Sequence, residues 1–276
     1  MENLTPILEN IDQIRHTLDE LNRRVLELSI NPQICSDSEL QHEELKRLLS
    51  SPNWPEAICI DSLCIDEGDK KNRAVGILEV LKIFDIDPKD KKCLDYGCGE
   101  KYLVDAMAQT AKLSVGYDLL DNWHEIQKEI YDIVILYDVL DHAERETPVD
   151  ILKKIKSVIH ENSIIFIHFH PWCCGHGAHL YRSINKAYIQ LFFNKNELKE
   201  MGCTLTPATE IIYPIRTYKQ WIKDAGFKIV ENEIHRSAVS EFFRQEPLLS
   251  KIEKIWGPRF TLDQMGIEFA DVVIKL

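Results

Sequence analysis

Apolar residues near the start of the chain recur at Leu4, Leu8, Ile11, Ile14, Leu18, Leu21, Val25 and Leu28, with charged or amide residues between them. Steps of three and four place these side chains on one narrow helical stripe, so the pattern predicts a coiled-coil-like seam with one stammer at Ile11. Two uses of the seam stay open: packing on its own domain, or self-association into a homo-oligomer. Asn31-Pro32 stops the helix, and Ser51-Pro52-Asn53-Trp54-Pro55 breaks the chain again. Residues 1–50 are expected to form an N-terminal helical arm and linker, and residues 51–276 the main domain.

After a helical stretch at 73–84 the period changes. Short apolar runs at 92–96, 113–117, 133–137, 164–169, 227–231 and 267–274 read as strands. Helical patterns at 103–111, 149–160, 183–201 and 218–225 lie between them. Strands separated by helices imply parallel pairing through right-handed crossovers, hence an α/β doubly wound, Rossmann-like sheet. Residues 235–259 are long enough for a helical lid insertion, with Phe242, Phe243, Arg244 and Trp256 as candidates by position.

Composition narrows the function classes. Lys and Arg number 33 against 45 Asp and Glu, a net charge of -12, which disfavours nucleic acid and anionic membranes as partners. No apolar run reaches the roughly 18–20 residues of a membrane span, and the first residues carry neither a basic nor an apolar signal segment, so a cytoplasmic protein is expected. Eight cysteines without a dense framework read as mostly reduced thiols.

The most informative segment is Cys93-Leu94-Asp95-Tyr96-Gly97-Cys98-Gly99-Glu100, an apolar strand entering a Gly-x-Gly turn before a helix. Glycine lets the chain turn tightly and lets a ligand approach the backbone. Nineteen positions after Gly99, a second strand ends in Asp118, where a Rossmann-type site places an acid for ribose hydroxyls.

These segments, together with the run from Tyr131 to His142 and the tail from Phe260 to Lys275, resemble the motifs of class I S-adenosylmethionine-dependent methyltransferases over about residues 73–276. The resemblance implies S-adenosylmethionine as cofactor, with Asp95, Gly97 and Gly99 beside its methionine part, Cys98 and Leu119 in the same cofactor-binding set, Asp118 on the ribose and Tyr137 lining the methyl-donor pocket. Two departures stand out. Lys101 occupies a position where the family often has a third glycine, and only about a dozen residues separate Asp118 from Tyr131, too few for the usual helix and third strand. The third strand is therefore expected to be missing or vestigial. Trp123, in the shortened connection, either flanks adenine or plugs the sheet edge.

The strand at 164–169 delivers His168-Phe169-His170-Pro171-Trp172-Cys173-Cys174-Gly175-His176-Gly177-Ala178-His179 to the carboxyl edge, where ligands of open α/β sheets bind. Methyl transfer to a hydroxyl needs a group to receive the proton, which suits histidine. His179, then His176 and His142, are the candidate general bases; Asp138 and Asp141 read equally as helix caps or acids. A metal at this segment stays open as a less favoured reading, because adjacent Cys173 and Cys174 point in different directions and no C-x2-C spacing exists.

The sequence thus points to methylation of a small-molecule or carbohydrate hydroxyl. The rivals are a catalytically silent scaffold of the same fold, assembled through its N-terminal helix, and an NAD-dependent oxidoreductase.

Overall fold

The computed structural model describes residues 39–57, 66–143, 147–175, 177–205, 212–244, 248–257 and 259–276. The seam from Leu4 to Leu28 lies outside them. Six strands form one sheet: β1 (Lys92–Tyr96), β2 (Leu113–Tyr117), β3 (Tyr131–Tyr137), β4 (Ile159–Phe169), β5 (Lys228–Arg236) and β6 (Ile267–Lys275), in the order β2-β1-β3-β4-β6-β5. The described helices are α1 (Glu39–Leu49), α2 (Glu67–Ile83), α3 (Tyr102–Met107), α4 (Trp123–Ile126), α5 (Pro148–Lys156), α6 (Ile189–Phe192), α7 (Lys195–Glu200), α8 (Ile215–Asp224), α9 (Leu248–Trp256) and α10 (Leu262–Met265).

The first four strands pair in parallel, as the alternation predicts. β6 corrects it, running antiparallel to both β4 and β5. The reason is its connection: the chain between β5 and β6 folds beyond the carboxyl edge and does not cross back over the sheet, so β6 must return in the opposite direction. Between Tyr117 and Tyr131 there is only the single turn α4 and no strand, so the third strand of the family pattern is missing.

Alternate strand residues feed two cores. On one face Ala74, Ile77 and Leu81 of α2 and Leu103 and Met107 of α3 cover Cys93, Ile133, Ile135 and Phe166. On the other, Ile151, Leu152 and Ile155 of α5 and Ile215, Tyr218 and Ile222 of α8 cover Leu94, Val134, Leu136, Ile165 and Ile167. Helix starts are set locally. Asp66 and Asp69 form a reciprocal capping box on α2, and Thr147 caps α5 ahead of Pro148.

A third cluster lies beside the sheet. Leu45 and Leu49 of α1, Trp54, the segment 187–193 and Phe243, Leu248, Ile252, Trp256 and Phe260 form one buried group. Leu45 and Leu49 thus share a buried core with segments of the expected main domain, and Phe243 and Trp256 of the expected lid are core side chains in it. The helix expected over 183–201 is broken: Tyr188 adopts a left-handed conformation (φ 61) and Phe193 is extended. Tertiary partners override helix propensity there. The Tyr188 hydroxyl donates to Met265 O at 3.0 Å, and Gln190 Nε2 donates to Cys174 O at 2.7 Å.

Trp54 is 1% exposed and donates Nε1–H to Ala187 O at 2.9 Å. Replacing Trp54 with Ala is expected to lower unfolding free energy by about 3–5 kcal/mol in urea titrations; a loss below about 1 kcal/mol would mean that residues 39–57 are not part of this core.

Candidate active site

The carboxyl edge of the sheet gathers the chemistry. At the end of β1, the Gly97 and Cys98 amides both donate to Tyr117 O, at 2.7 and 3.1 Å, which ties the turn to the end of β2. Gly97 has φ +84, and a Cβ there would lie 2.6 Å from Val139 Cγ2; Gly99 has φ +46, and a Cβ there would meet nothing within 4 Å. The first glycine is required by the protein itself, whereas the second leaves space over the backbone. Lys101 takes the left-handed conformation (φ 67) where the family often has glycine.

Asp118 lies over this turn. Its Oδ2 accepts from Gly99 N at 2.9 Å and its Oδ1 from Leu119 N at 2.7 Å. Asp95 is buried beneath, and burial, reinforced by the negative charge of Asp118, pushes its carboxyl up to about 7. Cys98 is buried and Leu119 is half exposed. Trp123 packs edge-on against Tyr117 and Tyr96, with Lys154 Nζ 4.8 Å from its ring. These contacts seat Trp123 on the α5 face of the sheet.

Two further groups stand at the ends of β3 and β4. Tyr137 stacks flat on His168 at 4.0 Å, with the Arg73 guanidinium 5.3 Å from its ring. Asp138 follows with φ 56 and caps no helix; its Oδ2 accepts from Arg73 at 2.5 Å. Its Oδ1 lies 3.6 Å from Nε2 of both His168 and His170. Burial works to raise this carboxyl, but His170, His168 and Arg73 outweigh it and hold Asp138 below the usual carboxylate range. Asp141 lies inside the turn and takes the opposite direction, since burial and then Asp138 push it well above that range.

The second group pairs two candidate bases. His142 and His179 stack at 4.8 Å with their Nε2 atoms 3.1 Å apart, and His179 Nδ1 lies 3.0 Å from the Tyr181 hydroxyl. Trp172 meets both rings edge-on at 5.2 Å. His176 lies outside the described residues. Cys173 is fully buried, and burial pushes its thiol up to about 12. The sequence reading passed over Arg73, His168 and His170. The alternation of His168 and His170 at the end of a strand parallel to the one leading into Asp138 is the signal that could have found the two histidines.

A family model described as a methyltransferase domain matches residues 70–232, more than half of the chain. The chain belongs to this methyltransferase family. No curated protein sequence matches it. Among solved structures it is similar to a SAM-dependent methyltransferase from Archaeoglobus fulgidus, with 16% identity over 75% of this chain and 94% of that one and a TM-score of 0.43. A coclaurine N-methyltransferase bound to N-methylheliamine and SAH gives 16% identity over 99% and 100% of the two chains, at 0.44. The magnesium protoporphyrin IX methyltransferase of Synechocystis gives 13% over 86% and 94%, at 0.38.

The glycine turn fits the S-adenosylmethionine that the sequence motifs imply: open space over Gly99, an exposed backbone, and the Asp118 carboxylate at its rim. Among the described residues no helix is long and apolar enough to cross a membrane.

The two glycines should separate stability from binding. Gly97→Ala, which adds the clash with Val139 to the strain of a positive φ, is expected to lower stability by about 2–5 kcal/mol. Gly99→Ala, which meets no neighbour but carries the strain of a positive φ, should cost about 1–2 kcal/mol by thermal unfolding, yet weaken S-adenosylhomocysteine binding at least tenfold by calorimetry. Equal effects in both assays would contradict the reading of open space over Gly99.

Asp95 predicts a pH dependence. Its folded-state pKa is raised, so the native protein binds the extra proton; the associated stability is fully present below about pH 4 and is lost as pH rises through about 7. Between those limits the parent should lose stability relative to Asp95→Asn, at a slope approaching about 1.4 kcal/mol per pH unit. Parallel stability curves for the two proteins would refute this.

Proposed function

We propose that the methyltransferase methylates a hydroxyl of a small molecule or sugar, with the His142–His179 pair receiving the acceptor's proton. Asp95, Gly97, Cys98, Gly99, Asp118, Leu119 and Tyr137 are the proposed cofactor contacts. S-adenosylmethionine, when bound, supplies an electrophilic methyl group on a sulfonium. The observation carrying the proposal is the 3.1 Å approach of the two Nε2 atoms. Two facing imidazole nitrogens at that distance can hold only one proton between them, so one of them is an acceptor. Tyr181 and Trp172 fix the rings, which supports an oriented base. His179 ranks ahead of His142 because it sits on the loop beyond β4; it also has φ 54, a backbone conformation that its surroundings must hold.

The partners proposed are small and not nucleic acid, in keeping with the net charge of -12. For Trp123 the packing against Tyr117 and Lys154 favours a plug of the sheet edge over an adenine contact.

The test incubates the protein with labelled donor and fractionated small-molecule extracts and identifies products by mass spectrometry. His179→Ala should lower kcat about 10²–10⁴-fold while S-adenosylhomocysteine affinity stays within about twofold. Absence of acceptor-dependent product in both parent and variant would favour the silent scaffold, and binding of NAD without S-adenosylhomocysteine would favour the oxidoreductase.

A further inference from the structure

We propose that Asp138, His168 and His170 form a binding site for one divalent transition-metal ion of the zinc class. Each offers one ligand atom, and the three atoms lie within 4.8 Å of one another. Asp138 Oδ1 is 3.6 Å from Nε2 of His168 and 3.6 Å from Nε2 of His170. An ion holding imidazole nitrogen and carboxylate oxygen at about 2.0–2.2 Å sets its ligand atoms roughly 3–3.5 Å apart; the two Asp138–histidine edges stand within tenths of an ångström of that spacing, and the two histidine nitrogens, no more than 4.8 Å apart, close on each other when the ion binds.

The atoms behind the ligands strengthen the assignment. A metal-binding histidine gives its other ring N–H to a carboxylate or a backbone carbonyl, which fixes the tautomer and aims the free lone pair at the ion. Both histidines do this. His168 Nδ1 lies 2.7 Å from Asp271 Oδ1, and His170 Nδ1 lies 3.0 Å from Glu268 O. With Nδ1 carrying the hydrogen, an ion that takes the place of any Nε2 proton would meet an Nε2 lone pair from each ring beside Asp138.

Asp138 Oδ1 is buried and accepts no hydrogen bond. Protonated imidazoles would satisfy it by donating, but the two Nε2 atoms stand beyond hydrogen-bond reach, at ligand spacing. Arg73 holds the other oxygen, Oδ2, and leaves Oδ1 facing the histidines. Two imidazoles and one carboxylate with further positions open suit zinc, iron(II) or cobalt(II) better than magnesium or calcium. The cysteines of the histidine-rich segment take no part. Water or an acceptor oxygen would fill the open positions; that use rests on the proposed methyl transfer, whereas ion binding does not.

The experiment needs no acceptor. Untagged full-length protein, stripped with a chelator, is titrated with Zn²⁺ and with Co²⁺, reading bound metal by elemental analysis and the visible Co²⁺ absorption. The parent is expected to bind about one ion per chain. Asp138→Asn and His170→Ala should each weaken binding more than tenfold, and Asp271→Asn, acting through His168, about 10–100-fold. His124→Ala, distant from the triad, should bind as the parent does. Far-ultraviolet circular dichroism checks that each variant is folded, and the parent's own stoichiometry stands if one is not. Failure of the parent to bind either ion at micromolar concentration, or binding undiminished in both Asp138→Asn and His170→Ala, would overturn the site. Metal binding without any methylated product would retain it and sink only the methyl-acceptor reading.

Discussion

The antiparallel seating of β6 against β4 constrains everything at the carboxyl edge. Its register sets Asp271 opposite His168, and Asp271 is only 3% exposed. A carboxylate that deep costs several kcal/mol unless it is paired, so the His168 Nδ1 hydrogen and the nearby His235 ring are structural requirements. Once Nδ1 is committed, Nε2 can only face the end of β3, where Asp138 waits. A slip of one residue would turn Asp271 toward the opposite, α5 face, among Ile165, Ile167 and Phe169, with no imidazole to meet it.

The third core governs the loop beyond β4 in the same indirect way. Gln190 holds the carbonyls of Trp172 and Cys174, while Trp172 donates Nε1–H to Asp141 O at 2.6 Å. That indole then braces His142 and His179 from the side. The positions of the two rings therefore depend on α6 and, through Trp256 and Leu191, on the insertion before β6. Side chains far from the edge in sequence fix a pair that looks local when the sequence is read.

What the sequence made legible follows the range of the interactions involved. Gly97, Gly99 and Asp118 announce themselves because a turn, a positive φ and a spacing are local constraints. The missing third strand was equally legible, since a dozen residues cannot build a crossover. The fate of residues 39–49, the broken helix at Tyr188 and the direction of β6 were not, because each is decided by contacts between segments far apart in the chain. The histidines show the boundary between the two cases. Composition singled out the segment, but choosing among His168, His170 and His179 required knowing that β4 lies beside β3 and that Asp271 returns between β4 and β5.

Arg73 and a bound cation would compete for Asp138 only if they needed the same oxygen. The Arg73 side chain is 49% exposed, so its ion pair contributes at most about 1 kcal/mol. That is enough to bias the orientation of a carboxylate without consuming it. Meanwhile burial raises Asp141 well above the ordinary carboxylate range, which keeps a second negative charge from forming beside Asp138. The left-handed backbone at Asp138 then has a physical account: it turns Oδ1 inward to the two Nε2 atoms while Oδ2 reaches the guanidinium on α2. Holding a non-glycine residue there costs of order 1 kcal/mol or more, and a helix cap would not require it, because Asp138 caps nothing. The strain is intelligible as the cost of presenting one carboxylate to two different cations.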